Sequence, residues 1–589
     1  MKLINSVIIA SSILFSILDL SNLKLEETVY TLDFNIKDWS YDSDNKVYYQ
    51  MGVVYCTKPV DIDYQSLGIF VPEEYMKCSE SSGKYSCSIN SSGKKGSYRV
   101  KNAPYVMPIE TPGYSAMKAL SSYNCKTVSS YISKGIIYIY AGCRGRYEGS
   151  ESYAAGSPWP ITDLKSAIRF LRYNSKLLPG DLNRFYTFGM SGGGAQSCLM
   201  GITGNSGLFT EFLKENGAAM KDSNGNEIKD NIKGSQCWCP ITNLDTADAA
   251  YEWNIGQYLS ADTRKEGTFT KELSNDLAQV FVEYINKIKL KDSKGNELTL
   301  KDNNSGTYYD YLLNIIQESL NNFLSDTIFP YERKEGGGDD FPPGPPSDKR
   351  KLSSVYENID EYIEDLNSDS ETPWVTYDKS TKKAKITSVK DFIIHCKSTS
   401  AKSVGAFDDF DKKQAENKVF GIDGTNYAKH FDKIMADLLN KNKDKYSKLE
   451  NWDSEYPESY TNDLSLKDYL GKTIEERVCM YNPMYYLNSY YDGYKKSDIA
   501  DYFRINTGIS QVDTSNVVEM NLYLALLNYG KNAQFTTVWE QKHVKAERTG
   551  TSDDNFISWI NNIENTKKSA SKCINYNSLL FITFLLLLI

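Results

Sequence analysis

The stretch "RFYTFGMSGGGAQS" (residues 184–197) limits what this chain can fold into more than any other. A short apolar run reads as a strand, ends at Gly189-Met190-Ser191-Gly192-Gly193, and is followed by a run that can continue as a helix. A serine on so sharp a strand-to-helix turn needs flanking residues without side chains, and the turn stands its hydroxyl clear of the sheet edge. The Gly192 N–H, at the start of the helix, is then aimed at an oxyanion. A phosphate-binding loop is the rival for a Gly-rich turn, but it requires a lysine after the glycines, and none follows here.

An elbow of this kind belongs to an alternating strand–helix sheet, and the remaining sequence supplies one. Residues 30–110 alternate in the manner of antiparallel strands, as in "KVYYQMGVVYC". "GIIYIYAGC" (135–143) is nearly unbroken in its apolar character, as a strand covered on both faces should be. In "TDLKSAIRFLRYNSKLL", Thr162 or Asp163 reads as the cap of a helix with Leu164, Ala167, Ile168 and Leu171 on one face. "GSQCWCPIT" (234–242) is a further strand. The rhythm returns late in the chain with "DYFRINTG", "SNVVEMNLYLALLNYG", "QFTTVWE" and "DDNFISWINNI". The expected fold is an α/β-hydrolase: a doubly wound, mostly parallel sheet formed by residues 25–245 and 479–565. Residues 246–478 are polar and helix-rich and include the Gly/Pro-rich linker "EGGGDDFPPGPPSDKRK" (335–351). They read as an inserted lid over the C-terminal edge of the sheet, where α/β folds keep their sites. Two similar pieces, "KDSNGNEIK" and "KDSKGNELTLK", read as hairpins with glycine at the turn.

A serine nucleophile needs a base, and in this fold the chain order is serine, acid, histidine. The chain has only three histidines. His395 and His430 fall in the insert, before the strand that should carry the acid. His543 follows the last strand and is the expected base. The second oxyanion donor should come from the loop after an earlier strand, and in "YAGCRGR" the Cys143 N–H is the expected group. With no HExxH, no CxxC pair and so few histidines, no zinc site and no cofactor are expected.

At 589 residues the chain exceeds one compact core, and its net charge of −9 argues against a nucleic-acid partner. Both ends read as processing signals. Residues 1–21 have one lysine and then a short apolar run, the layout of a cleaved signal peptide. At the other end, Ser569, Ala570 and Ser571 precede a polar spacer and the apolar run 578–589. That is the layout of a GPI-anchor signal over 569–589, and the run falls short of the roughly 20 residues a spanning helix needs. Ten of the eleven cysteines would stay after processing, an even number suited to an oxidising compartment. Cys56, Cys78, Cys87, Cys125 and Cys143 are expected to hold some disulfides. Asn90 and Asn303 are glycosylation acceptors by motif. A secreted monomer, attached to the cell surface through its lipid anchor, is expected.

With these residues placed, the chain resembles the bacterial (subtype B) tannases, within the tannase and feruloyl-esterase-like α/β-hydrolases. The likeness is carried by "YQSLGIFVPEEY", "GCRGR", "GMSGGGAQS", "CPITNLDTADAAYEW", "KSVGAFDDFDKKQAENKVFG" and "RINTGISQVDTS". It implies hydrolysis of galloyl esters, a small phenolic ester being the partner. It also implies that Lys402, Glu416 and Asp513 hold the three phenolic hydroxyls. By the same resemblance the catalytic acid lies three residues after Gly508, where this chain has Gln511. A glutamine can hold the histidine tautomer but cannot stabilise the imidazolium. The expectation is that Asp513 serves His543 as the acid. A feruloyl or general carboxylesterase of the same fold, or a weakened binding protein on a hydrolase scaffold, are the alternatives.

Overall fold

The computed structural model describes residues 29–149, 151–259, 262–333, 355–368, 370–397, 401–422 and 427–565. The leader, the Gly/Pro-rich linker 335–351 and the C-terminal signal lie outside the described residues.

One nine-stranded sheet organises the molecule. In chain order its strands are β1 (Ser40–Asp42), β2 (Val47–Val54), β3 (Ser66–Pro72), β4 (Tyr105–Ile109), β5 (Ile137–Ala141), β6 (Phe185–Met190), β7 (Gly234–Trp238), β8 (Tyr502–Gly508) and β9 (Asn532–Val538). Their order across the sheet is β1-β2-β3-β5-β4-β6-β7-β8-β9. The pairings β1–β2, β2–β3 and β3–β5 are antiparallel, as expected of residues 30–110, but β4, inside that span, pairs in parallel with both its neighbours. From β5 to β9 every pairing is parallel. β4 and β5 are buried along their whole length, which is why their sequences run apolar rather than alternate; β7 is equally buried but carries the polar Ser235 and Gln236. The strand of Ser191, β6, lies mid-sheet between β4 and β7.

Helices cover both faces. They include α1 (Cys125–Ser133), α2 (Trp159–Tyr173) and α3 (Gly192–Ile202), which starts directly after Ser191 and is buried throughout. α2 begins three residues before the expected Thr162 cap. Pro160 stands in its first turn, a position that loses no hydrogen bond. Thr162 and Asp163 are therefore inside the helix, and Asp163 serves a buried bidentate pair with Arg144 (2.7 and 2.8 Å) rather than a cap. The chain is helical again over 552–565, on the face where Phe556 packs on Phe188 with ring centroids 4.8 Å apart.

Among the described residues, 246–478 are helix-rich, with two-residue and four-residue antiparallel strand pairs at 331–332/355–356 and 375–378/383–386. Both similar pieces form the same turn. Asp222 accepts from the Asn224 and Asn226 N–H groups, and Asp292 from those of Lys294 and Asn296. Gly225 and Gly295 take φ of 83° and 86° there. Cys78 and Cys87 form a disulfide across a hairpin. Cys56, Cys125 and Cys143 carry free thiols, so the expected N-terminal disulfides reduce to this one.

Candidate active site

Ser191 sits at the C-terminal end of β6 with φ 58° and ψ −125°, a left-handed conformation rare outside glycine. Such strain costs about 1–3 kcal/mol and persists only where packing enforces it. The enforcement is visible in the flanking glycines. A Cβ on Gly193 would lie 2.0 Å from the Ile109 carbonyl oxygen, and one on Gly189 would lie 2.4 Å from that of Gly193. The Ser191 N–H donates to the Trp238 carbonyl at 3.0 Å, which ties the elbow to β7.

The oxyanion side differs from expectation. The Cys143 N–H is spent on the Met117 carbonyl at 2.8 Å, so it is not a free donor. The turn that approaches Gly192 follows β4 instead: a Cβ on Gly192 would lie 2.6 Å from the Tyr114 nitrogen and 2.7 Å from the Thr111 oxygen. β4 pairs with β6 directly, whereas β5 lies one strand further out, so on that side the 110–114 turn, rather than the loop after β5, meets the elbow.

His543 follows β9 and is brought inward by a close approach of two loops. The Ser510 N–H donates to the Gln541 carbonyl at 3.0 Å, and a Cβ on Gly508 would lie 1.9 Å from the Lys542 oxygen. The Cys239 thiol, after β7, donates to the Val544 carbonyl at 3.1 Å. This apposition sets His543 Nδ1 2.6 Å from Gln511 Oε1. Asp513 Oδ2 stands 4.0 Å from the same nitrogen, with its side chain 47% exposed. Gln511, not Asp513, is thus the hydrogen-bonded partner of His543. The cause is register: three residues past Gly508 the loop still lies against the 541–543 segment, and five past it has turned toward the insert. Burial lowers the His543 pKa, with Lys402 adding to the lowering and Asp513 opposing it.

The other two histidines are engaged elsewhere. His395 Nε2 lies 2.7 Å from Ser370 Oγ, and His430 Nδ1 lies 2.7 Å from Asp408 with its ring stacked on Tyr460 at 3.6 Å.

Lys402 and Glu416 come from the insert to the same edge. The short helix α4 (Ala415–Val419) packs on the 112–114 turn, with Ala415 Cβ 3.7 Å from a Cβ built on Gly113. Glu416 is buried at 3% exposure, and burial raises its pKa. The Lys402 and Arg146 charges pull it down, and Asp513 pushes it up. Lys402 Nζ stands 4.2 Å from the Phe407 ring centroid. Its backbone is held by Tyr251 and Arg264: the Lys402 N–H donates to the Tyr251 hydroxyl at 2.9 Å, and Arg264 Nη1 donates to the Lys402 carbonyl at 2.8 Å. The Tyr251 hydroxyl in turn donates to the Val512 carbonyl at 3.0 Å, joining the insert to the Gln511–Asp513 loop. Nothing in the residue type of Tyr251 marks it for this role; its position in "DAAYEW" is the one signal the sequence holds. The structure therefore gathers Ser191, Gly192, His543, Gln511, Asp513, Lys402 and Glu416 at one sheet edge and leaves Cys143 out.

This fold and edge define an α/β-hydrolase with a serine elbow. The family described as BD-FAE matches residues 98–275. Among solved structures, a Fusobacterium nucleatum tannase is 27% identical with a TM-score of 0.63, covering 91% of this chain and 99% of that one. A native tannin acyl hydrolase from Lactobacillus plantarum is 25% identical with a TM-score of 0.63, covering 88% of this chain and 94% of that one. A tannin acyl hydrolase in complex with ethyl gallate is 24% identical with a TM-score of 0.60, covering 91% and 98%. No curated protein sequence matches the chain. The chain has the α/β-hydrolase fold and is similar to these tannases over most of its length.

Proposed function

We propose that this protein is a serine esterase that hydrolyses galloyl esters. The carrying observation is the meeting of insert residues Lys402 and Glu416 with Asp513 beside His543. Two carboxyls and an ammonium match a ring edge with three adjacent hydroxyls, which offers donors to the carboxyls and an acceptor to the ammonium. Likeness to a tannin acyl hydrolase bound to ethyl gallate supports the same substrate class.

In this reading Ser191 Oγ attacks the ester carbonyl as His543 Nε2 takes its proton. Gln511 Oε1, an acceptor, requires the hydrogen of the neutral ring at Nδ1 and so leaves Nε2 basic. The oxyanion meets the Gly192 N–H at the start of α3, and the alcohol leaves with the proton from His543. Water, deprotonated by the same nitrogen, then releases gallate from the acyl-serine. Gln511 orients the ring but places no charge beside the imidazolium. Asp513, at 4.0 Å, acts on it only through space. Secretion through the N-terminal signal and attachment through a GPI anchor complete the proposal.

The test is a hydroxyl series of methyl esters: gallate, 3,4-dihydroxybenzoate and 4-hydroxybenzoate. Each missing hydroxyl leaves one of these charged groups without its partner and should cost roughly tenfold or more in kcat/KM. A flat series would sink the galloyl reading and favour a general carboxylesterase.

A further inference from the structure

A second carboxyl stands directly behind Gln511. Glu519, in helix α5 (Asn516–Asn528), is fully buried. Its Oε1 accepts from Gln511 Nε2 at 2.9 Å, and its Oε2 from Asn516 Nδ2 at 3.3 Å. The Thr507 hydroxyl bonds to it as well. Gln511 Nε2 also donates to Thr507 Oγ1 at 2.5 Å. Both hydrogens of the Gln511 amide are therefore committed away from His543.

The ends of an amide are not interchangeable, since the nitrogen only donates and the oxygen only accepts. Turning Gln511 over would press its carbonyl oxygen against Glu519 and offer N–H to His543 Nδ1. The ring would then have to carry its hydrogen on Nε2, the tautomer that cannot act as base toward Ser191. Lys397, from the insert, braces the arrangement. Buried itself, it donates to the carbonyls of Ile509 (2.8 Å) and Gln511 (2.6 Å) and to Asn516 Oδ1 (2.7 Å). That last bond also turns the Asn516 nitrogen toward Glu519.

We propose that Glu519 is a positioning residue of this centre: acting through Gln511, it holds His543 in the tautomer whose Nε2 is basic. The inference rests on Ser191 and His543 being the catalytic pair, and it is independent of which ester is cleaved.

An exchange of the acid and amide positions tests it. In Glu519→Gln, one orientation of the introduced amide faces Gln511 Nε2 with its own nitrogen, and the other faces Asn516 Nδ2, so the network cannot be satisfied. Adding Gln511→Glu restores every bond. The relocated carboxylate accepts from His543, Thr507 and the nitrogen of the introduced amide, while the oxygen of that amide accepts from Asn516. Expected for Glu519→Gln is a fall in kcat of about tenfold or more, bounded by the ~10⁴ that loss of tautomer control costs in a serine protease triad, with KM little changed. The loss should be equal on methyl gallate and p-nitrophenyl acetate, and the double variant should recover it on both. Nitrogen-15 NMR of histidine-labelled protein, with His543 assigned by its own substitution among three histidines, reads the tautomer without turnover. Nδ1–H should dominate in the wild type and the double variant, and Nε2–H should gain in Glu519→Gln. An unchanged tautomer and kcat in Glu519→Gln would overturn the proposal. So would a loss in a folded single variant that the double variant does not restore, because a purely structural role predicts that pattern. Failure on methyl gallate alone, with p-nitrophenyl acetate following the pattern above, would instead remove the galloyl reading and leave Glu519 in place.

Discussion

Replacing Lys402 by methionine separates the charge of this side chain from its packing. Lys402 Nζ lies over Phe407, and a methionine keeps the apolar stem against that ring while deleting the ammonium. Two effects follow from one deletion. On a galloyl ester the variant loses a hydrogen bond between a charged donor and a phenolic oxygen, about 1.5–3 kcal/mol. At 1.36 kcal/mol per decade, that is roughly a ten- to hundredfold fall in kcat/KM. On a substrate with no ring hydroxyls the loss should be small. The second effect is electrostatic and shared by all substrates. Lys402 is one of the groups that lower the His543 pKa, so its removal raises it. His543 works as a neutral base, active above its pKa, so the acid limb of the kcat/KM profile moves to higher pH for every ester. The same deletion lets the Glu416 pKa rise further, since Lys402 is the first of the charges holding it down. The assay is kcat/KM from pH 4 to 8 on methyl gallate and p-nitrophenyl acetate, at fixed ionic strength. Equal losses on both esters would refute substrate recognition by Lys402. An acid limb that stays put or moves to lower pH would refute its proximity to His543.

Three further outcomes are expected. The wild-type acid limb should lie below the ordinary histidine value of 6.5, and Asp513→Asn should move it lower still, because Asp513 is the group that raises the His543 pKa; stopped-assay pH profiles check both signs. Gly193→Ala should cost more than about 4 kcal/mol, the range of severe core lesions, because its Cβ falls 2.0 Å from a backbone oxygen of β4; thermal unfolding showing a near-native Tm would contradict the packing described for the elbow. Full-length protein from a eukaryotic secretory host should be released from the cell surface by a phosphatidylinositol-specific phospholipase, and retention after that treatment would end the anchor proposal.

The sequence declared the elbow, the parallel strands and His543 because each has a local signature: a glycine frame, an unbroken apolar run, a place after the last strand. What it hid was non-local. β4 contains Pro108, which cannot donate to a neighbouring strand, so "YVMPI" does not read as a strand lying next to the nucleophile's. Missing it moved the oxyanion turn one strand outward, to Cys143. Thr162 and Asp163 looked like caps because their residue types favour that role, yet Asp163 answers to Arg144, 19 residues away in sequence. The identity of the His543 partner depended on where the 508–513 loop turns. That is set by contacts with residues 541 and 542 and by the Lys397 clamp, none of which the loop's own sequence contains. Glu519 carries no signal of its own in the sequence, since its meaning lies entirely in facing Gln511.

The most direct test of the account is turnover of methyl gallate and methyl ferulate by purified wild-type protein, beside Ser191→Ala. Burial and strain at Ser191, the Gln511-held His543 and the Lys402–Glu416–Asp513 group together predict rapid release of gallate. They predict release of ferulate at least about tenfold slower in kcat/KM, since that ring cannot satisfy all three groups. Neither product should form above background in Ser191→Ala. Equal use of the two esters, or gallate release that survives Ser191→Ala, would contradict it.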